Sequence, residues 1–203
     1  MATDSLFEQL KHPNPRLRER AMLELAEVRD EQTIPRLLDI LGEPDVNYRR
    51  SAVKALGVIG IDSVSPVVGV LLKSEDMTIR ASCVKALAQV AFNHPDTPFP
   101  EEGLQALATV LHDPNPVVNI ATAMALGEIG VPALDTLIAA VQTTDNPALA
   151  IAVVNAISSI NDPRAGEILN QIAQDESVDA YVRESATSAV SRFDLMSQYQ
   201  ARE

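Results

Sequence analysis

Apolar residues in this chain recur at steps of three and four over short windows, and the windows themselves recur. In "YRRSAVKALGVIG", residues 48–60, Ala52, Val53, Leu56 and Ile59 follow Arg49 at three, four, seven and ten residues, which places them on one face of an α-helix. The same seven-residue offset joins Arg18 to Leu25 and Arg80 to Leu87, and it continues with altered chemistry from Asn119 to Leu126, Ala150 to Ile157 and Arg183 to Val190. Successive anchors lie 31, 31, 39, 31 and 33 residues apart. Four residues before each anchor stands Asn14, Asp45, Asp76, Asn115, Asn146 or Asp179, residue types that cap helix N-termini or shape the preceding turn. Between these segments run "IPRLLDIL", "VSPVVGVLL", "GLQALATVL", "ALDTLIAAV" and "AGEILNQIA", which are also apolar at helical spacing. Each unit is therefore predicted to be a pair of helices. The glycines of "LGVIG" and "LGEIG" are expected to end their helices, with Gly60 and Gly130 at positions that tolerate positive φ. Pro35, Pro66 and Pro132 fall in or near the next helical start.

Two helices per period near 31 residues predict an all-α fold, a right-handed α-solenoid (superhelix) of about six helix pairs, because no single pair can cover its own apolar face. The prediction is one domain over residues 1–203, with repeats at about 12–41, 43–72, 74–111, 113–142, 144–174 and 176–200. The segments "DVNYRRSAVKAL", "DMTIRASCVKAL" and "DAYVRESATSAV" resemble the second helix of HEAT-type repeats, with an aspartate, a Val-Arg-like step and an Ala-rich stripe. An arginine at one fixed place in Arg18, Arg49, Arg80 and Arg183 reads as framework, a ladder pairing with inter-repeat carboxylates and carbonyls; it lapses at Asn119 and Ala150. The 39-residue interval reflects about eight extra residues around "FNHPDTPFPEEG", where a loop is expected to project. That loop is either a tolerated surface insertion or a partner contact.

Composition narrows the picture. With 46% hydrophobic residues the chain can bury a core without metal or disulfide, and 3% aromatics with no Trp suits closely stacked small aliphatic helices. A formal net charge of −12 opposes nucleic acid as a partner. The charge is also uneven: residues 1–85 hold 12 basic and 13 acidic side chains, whereas between Lys85 and Arg164 there are eight acids and no Lys or Arg. The single cysteine, Cys83, falls on the packed face and has no disulfide or thiolate partner. His12, His94 and His112 sit in inter-helix turns and not at the spacing of a helical metal pair, so no metal site is expected. No phosphate loop, nucleophile elbow or paired-carboxylate signature is present, and no catalytic residue is assigned. The N-terminus "MATDSLFEQLKHPNP" is not a secretory leader and no stretch approaches about 20 apolar residues, so a cytoplasmic protein without a membrane partner is expected.

A solenoid offers an extended concave surface. If the anchor-bearing helices line it, positions one, two, five and nine after the anchor point outward. In repeats two and three these positions supply Arg50, Ser51, Lys54, Val58, Ser82, Lys85 and Gln89, a basic patch suited to a carboxylate or an acidic protein surface. Repeats four and five supply Ile120, Met124, Glu128, Ile151, Asn155 and Ser159, apolar with an acidic edge. Two readings stay open for the apolar set: a recognition surface, or side chains buried between repeats by tight curvature.

The segments "FEQLKHPNPRLRERAM", "TIPRLLDIL", "YRRSAVKALGVIG", "NPVVNIATAMALGEIG" and "YVRESATSAV", with the insertion "FNHPDTPFP", resemble the cyanobacterial phycobiliprotein lyase proteins of the HEAT-like E/F and Y/Z type. The resemblance implies a chaperone-like accessory factor for bilin attachment to phycoerythrin subunits. Its implied partners are those subunits and a HEAT-like bilin lyase of the CpeY kind. No cofactor is bound permanently, and bilin (phycoerythrobilin) is contacted transiently, its carboxylates meeting Arg50, Lys54 and Lys85. The expected partner-binding set is Arg50, Lys54, Lys85, Gln89, Ile120, Met124, Glu128, Ile151 and Asn155. The alternatives are a subunit of a heteromeric bilin lyase and a generic protein-binding scaffold.

Overall fold

A computed structural model describes residues 2–200, with side chains described for residues 3–195. Among these residues there are twelve α-helices and no strand. Taken in chain order they fall into six successive pairs: α1 (Ala2–Gln9) with α2 (Pro15–Glu27), α3 (Thr33–Asp39) with α4 (Val46–Ile59), α5 (Val64–Lys73) with α6 (Met77–Asn93), α7 (Glu101–Val110) with α8 (Pro116–Ile129), α9 (Leu134–Thr143) with α10 (Pro147–Ser158), and α11 (Pro163–Gln174) with α12 (Ala180–Gln200). Pairing the helices in this way shifts the phase of the repeat by one helix from the boundaries read in the sequence; either phase describes the same array. The chain groups into two compact units, residues 1–106 and 107–203. The C-terminal "DLMSQYQ" continues α12, and residues 201–203 lie outside the described residues.

All six cap residues act as the sequence predicts. The side chains of Asn14, Asp45, Asp76, Asn115 and Asn146 accept backbone N–H groups at the starts of α2, α4, α6, α8 and α10, and Asp179 accepts from Tyr181 N at 2.9 Å at the start of α12. Proline at the first turn of α2, α8 and α10 adds a residue whose missing N–H costs nothing there. Position seven after the anchor is the core position: Leu25, Leu56, Leu87, Leu126 and Ile157 are fully buried. Each such side chain contributes roughly 1.5–3 kcal/mol of burial.

Gly60 and Gly130 end α4 and α8 at φ 83°. Gly57 and Gly127, by contrast, do not end helices. They lie inside α4 and α8 where a neighbour comes close: a Cβ on Gly57 would stand 2.3 Å from Gln89 Cβ, and one on Gly127 would stand 3.0 Å from Ala156 Cα. The same region corrects the expectation that no segment is apolar enough to cross a membrane. Val46–Lys73 passes that test by length and composition, but a 3-10 turn at Gly60–Ser63 divides it into α4 and α5, and half of the segment's apolar window is buried.

The arginine ladder runs to carbonyls of its own turn. Arg18 Nη1 donates to His12 O at 2.6 Å and Pro13 O at 3.0 Å, Arg49 Nη1 donates to Glu43 O, and Arg80 Nη1 donates to Ser74 O at 3.4 Å and Glu75 O at 3.2 Å. Asn119, where the ladder was expected to lapse, does the same work: its Nδ2 donates to Asp113 O at 3.0 Å. Carboxylates in other repeats are met by different arginines. Arg36 binds Asp4 at 2.9 Å and stacks over Phe7, Arg29 binds Asp62 at 2.7 Å, and Arg164 binds Asp135 at 2.8 Å. All of these are surface pairs, of small worth individually.

The extra residues after α6 fold back onto the first unit and do not simply project. His94 Nε2 lies 3.2 Å from Val58 O and covers Gly60, while the ring of Phe99 covers Gly103 beside Val64.

Gly57→Ala is expected to destabilise the protein by about 1–3 kcal/mol through overpacking against Gln89, in spite of the higher helix propensity of alanine. A fall in the urea midpoint at unchanged m-value is the check. The second expectation concerns pH. The N–H groups of Ile79 and Thr78 hold the Asp76 carboxyl below its usual range. A depressed folded pKa stabilises above the unfolded value, near 3.9, and that contribution is lost as pH falls through the folded value. The stability margin of wild type over Asp76→Ala should thus be constant above about pH 5 and shrink below about pH 4 in urea titrations.

Candidate functional site

In each unit the second helices pack on one another, α4 between α2 and α6 and α10 between α8 and α12. Positions three, four and seven are buried on α4, α6, α8 and α10. Position two, expected outward, is closed off in repeats two and three: Ser51 and Ser82 are buried, and their hydroxyls donate to Asn47 O at 2.9 Å and Thr78 O at 2.7 Å. A serine that returns its proton to its own helix is tolerated between packed helices. The exposed strip is therefore narrower than predicted there: positions one, five and nine on α4, and five and nine alone on α6, where Ala81 at position one is buried.

In the second unit this strip forms a groove of about 470 Å³ between α8 and α10. Ile120, Met124, Glu128, Ile151, Asn155 and Ser159 all line it, with Ala148 and Ala152 as small floor residues. Met124 is 67% exposed and the two isoleucines are half-buried, so the apolar set is not sealed between these helices. Asn155 is already engaged: its Oδ1 accepts from Arg192 Nη2 at 2.8 Å. Sequence reasoning did not select Arg192, although it stands at position nine of the sixth repeat and so carried the same signal as Glu128.

The first unit holds a smaller groove of about 260 Å³ between α2 and α4. It brings Arg50 and Lys54 together with Arg18, Glu19 and Asn47. Lys85 and Gln89 do not join it. They lie on α6, where Lys85 is exposed and Gln89 is half-buried against Gly57. The carboxylate-binding trio of the sequence reading is thus two residues in one groove and a third on the next helix.

Cys83 is fully buried on α6, and burial pushes its thiol up to about 12. A thiol so placed is neither nucleophile nor ligand at neutral pH. Among the described residues no three His, Cys, Asp or Glu side chains cluster as a metal site. The described residues present an apolar groove with an acidic member in one unit and a cationic groove in the other.

These features define an α-helical repeat protein with exposed strips on its second helices. HEAT repeats match over residues 3–88 and 104–191, and the gap between the two matches contains the inserted loop. The chain is 52% identical over 196 residues to the uncharacterized phycocyanin operon protein Z of Pseudanabaena tenuis, covering 97% of each. It is 32% identical over 177 residues to the bilin biosynthesis protein CpeZ of Synechococcus, covering 85% of this chain and 95% of that one. Among solved structures, the complex of CpcE and CpcF of phycocyanin lyase from Nostoc matches with a TM-score of 0.52 at 16% identity, over 76% of this chain and 97% of that one. The chain belongs to the HEAT-repeat family, with phycocyanin operon protein Z and CpeZ among its relatives.

In the folded protein Cys83 should stay unmodified by a water-soluble maleimide at pH 8 and react fully in denaturant. Mass spectrometry of the two samples reads the difference, and rapid labelling of the native protein would contradict the burial.

Proposed function

We propose that this protein is a non-enzymatic, chaperone-like accessory factor for bilin attachment to phycobiliprotein subunits, holding the subunit at its second-helix strips beside a partner bilin lyase. The observation that carries the reading is relatedness to phycocyanin operon protein Z over 97% of the chain and to CpeZ over 85% of it. Phycoerythrin subunits are the expected client from the resemblance to the Y/Z type; the phycocyanin name of the nearer relative makes phycocyanin subunits the necessary second arm of any assay.

The geometry supports a division of labour. Ile120, Met124 and Ile151 offer an apolar surface of adaptable shape to a helical subunit not yet assembled. Arg18, Arg50 and Lys54 suit carboxylates, whether of an acidic protein surface or of the bilin propionates.

Changing Ile120, Met124 and Ile151 together to Ser should weaken apo-subunit binding on the order of 10- to 100-fold, each side chain losing part of the roughly 1.5–3 kcal/mol of a fully buried residue. Calorimetry with phycoerythrin and phycocyanin apo-subunits measures it, with circular dichroism confirming the fold. Unchanged affinity in a folded triple variant would reject the groove as the holding surface. Covalent chromophore formed by this chain alone, without a lyase, would replace the accessory role with the enzymatic one.

A further inference from the structure

We propose that the turn before α10 is a binding pocket for a guanidinium group, taking an arginine side chain from a partner where this chain has none of its own. The ladder sets the template. Arg18, Arg49 and Arg80 donate to the carbonyls of His12, Glu43 and Ser74, six residues back, and Asn119 donates to that of Asp113. The counterpart in the fifth repeat is Ala150, and the counterpart carbonyl is that of Thr144. Among the described residues no protein donor reaches the Thr144 carbonyl.

A pocket of about 270 Å³ stands at that place, and Thr144, Asp145 and Ala150 line it. Its lining has the division an arginine needs. Ile172, Val178 and Val182 give an apolar wall for the methylene stem, and the Thr144 carbonyl with the exposed Asp145 carboxylate gives acceptors for the planar fork. The Asp179 carboxylate, also in the lining, is committed to the N–H groups of Tyr181 and Val182. No Lys or Arg occurs from residue 86 to residue 163, so α8, α9 and α10 carry no cation of their own to fill it. The next rung, Arg183, interacts with Asp175, whose carboxyl it helps to hold low.

This inference does not rest on the role in bilin attachment. The test is a methyl NMR titration of the full chain with N-acetyl-arginine amide, with the citrulline analogue, and with a short peptide bearing a single arginine. The expected result is a saturable shift of the Ala150 and Val182 methyls with the arginine probes, at least about tenfold weaker with citrulline, which has the shape without the charge. A response to the amide identifies a free guanidinium as sufficient, and one confined to the peptide identifies a macromolecular donor; both support the pocket. In Ala150→Arg the chain supplies its own rung, so the probes should lose their effect and the urea midpoint should rise. Asp145→Asn, a milder change, should weaken the arginine probes about threefold or more and keeps the test decisive if Ala150→Arg folds poorly. No saturable shift with either arginine probe, an equal response to citrulline, or undiminished binding in the folded variants would overturn the proposal.

Discussion

In each unit a central second helix, α4 or α10, is packed by first helices and by the second helices before and after it, and much of the rest of the structure follows from that packing. It explains why alanine, serine and glycine crowd these helices: Ala52, Ala55, Ser51 and Gly57 on α4 are all buried. Small side chains let backbones approach, and the serines enter the packing because their hydroxyls bond within their own helix. What remains outside is one residue per turn. That strip carries little of the folding energy, so its chemistry is free to change from Arg50 and Lys54 on α4 to Ile120 and Met124 on α8 without disturbing the packing beneath.

The ladder obeys the same economy. A guanidinium that binds backbone carbonyls ties the helix to the turn before it, and its loss leaves polar acceptors near water, not an unpaired buried charge. Such a loss is tolerable, whereas breaking a buried ion pair is not. The shift from arginine to Asn119 and then to Ala150 therefore costs the fold little, and it coincides with the stretch in which cations are absent altogether.

Much of this was legible because it depends on local rules. Caps at fixed offsets, a seven-residue step to a core leucine and the punctuating glycines at 60 and 130 report backbone geometry that a single helix already determines. The errors arose where a second element decides. Position two is exposed on an isolated helix and buried once α4 and α6 touch, which no periodicity within α4 can report. Gly57 looked like punctuation because glycine is ambiguous until a neighbour such as Gln89 is placed against it. Of the two kinds of partner expected for the ladder arginines, carboxylates and carbonyls, Arg18, Arg49 and Arg80 use backbone carbonyls, which every residue has and which a sequence therefore does not display. Lys85 repeats the lesson at the candidate site, being one period from Lys54 and yet outside the groove that holds Lys54.

The two grooves are unlike enough to sort ligands by charge. Between α8 and α10 an anion meets Glu128 and no cation from either helix; Arg192, the cation that reaches the groove from α12, is held by Asn155. Desolvating a carboxylate there is unfavourable, while apolar surface gains from the contact. Between α2 and α4 the balance reverses, since Arg18, Arg50 and Lys54 stand together with only Glu19 against them. Each groove by itself favours a different chemistry, apolar surface in the second unit and carboxylates in the first. Salt bears on the two contacts differently, because screening weakens the cationic groove and leaves the apolar one nearly unchanged.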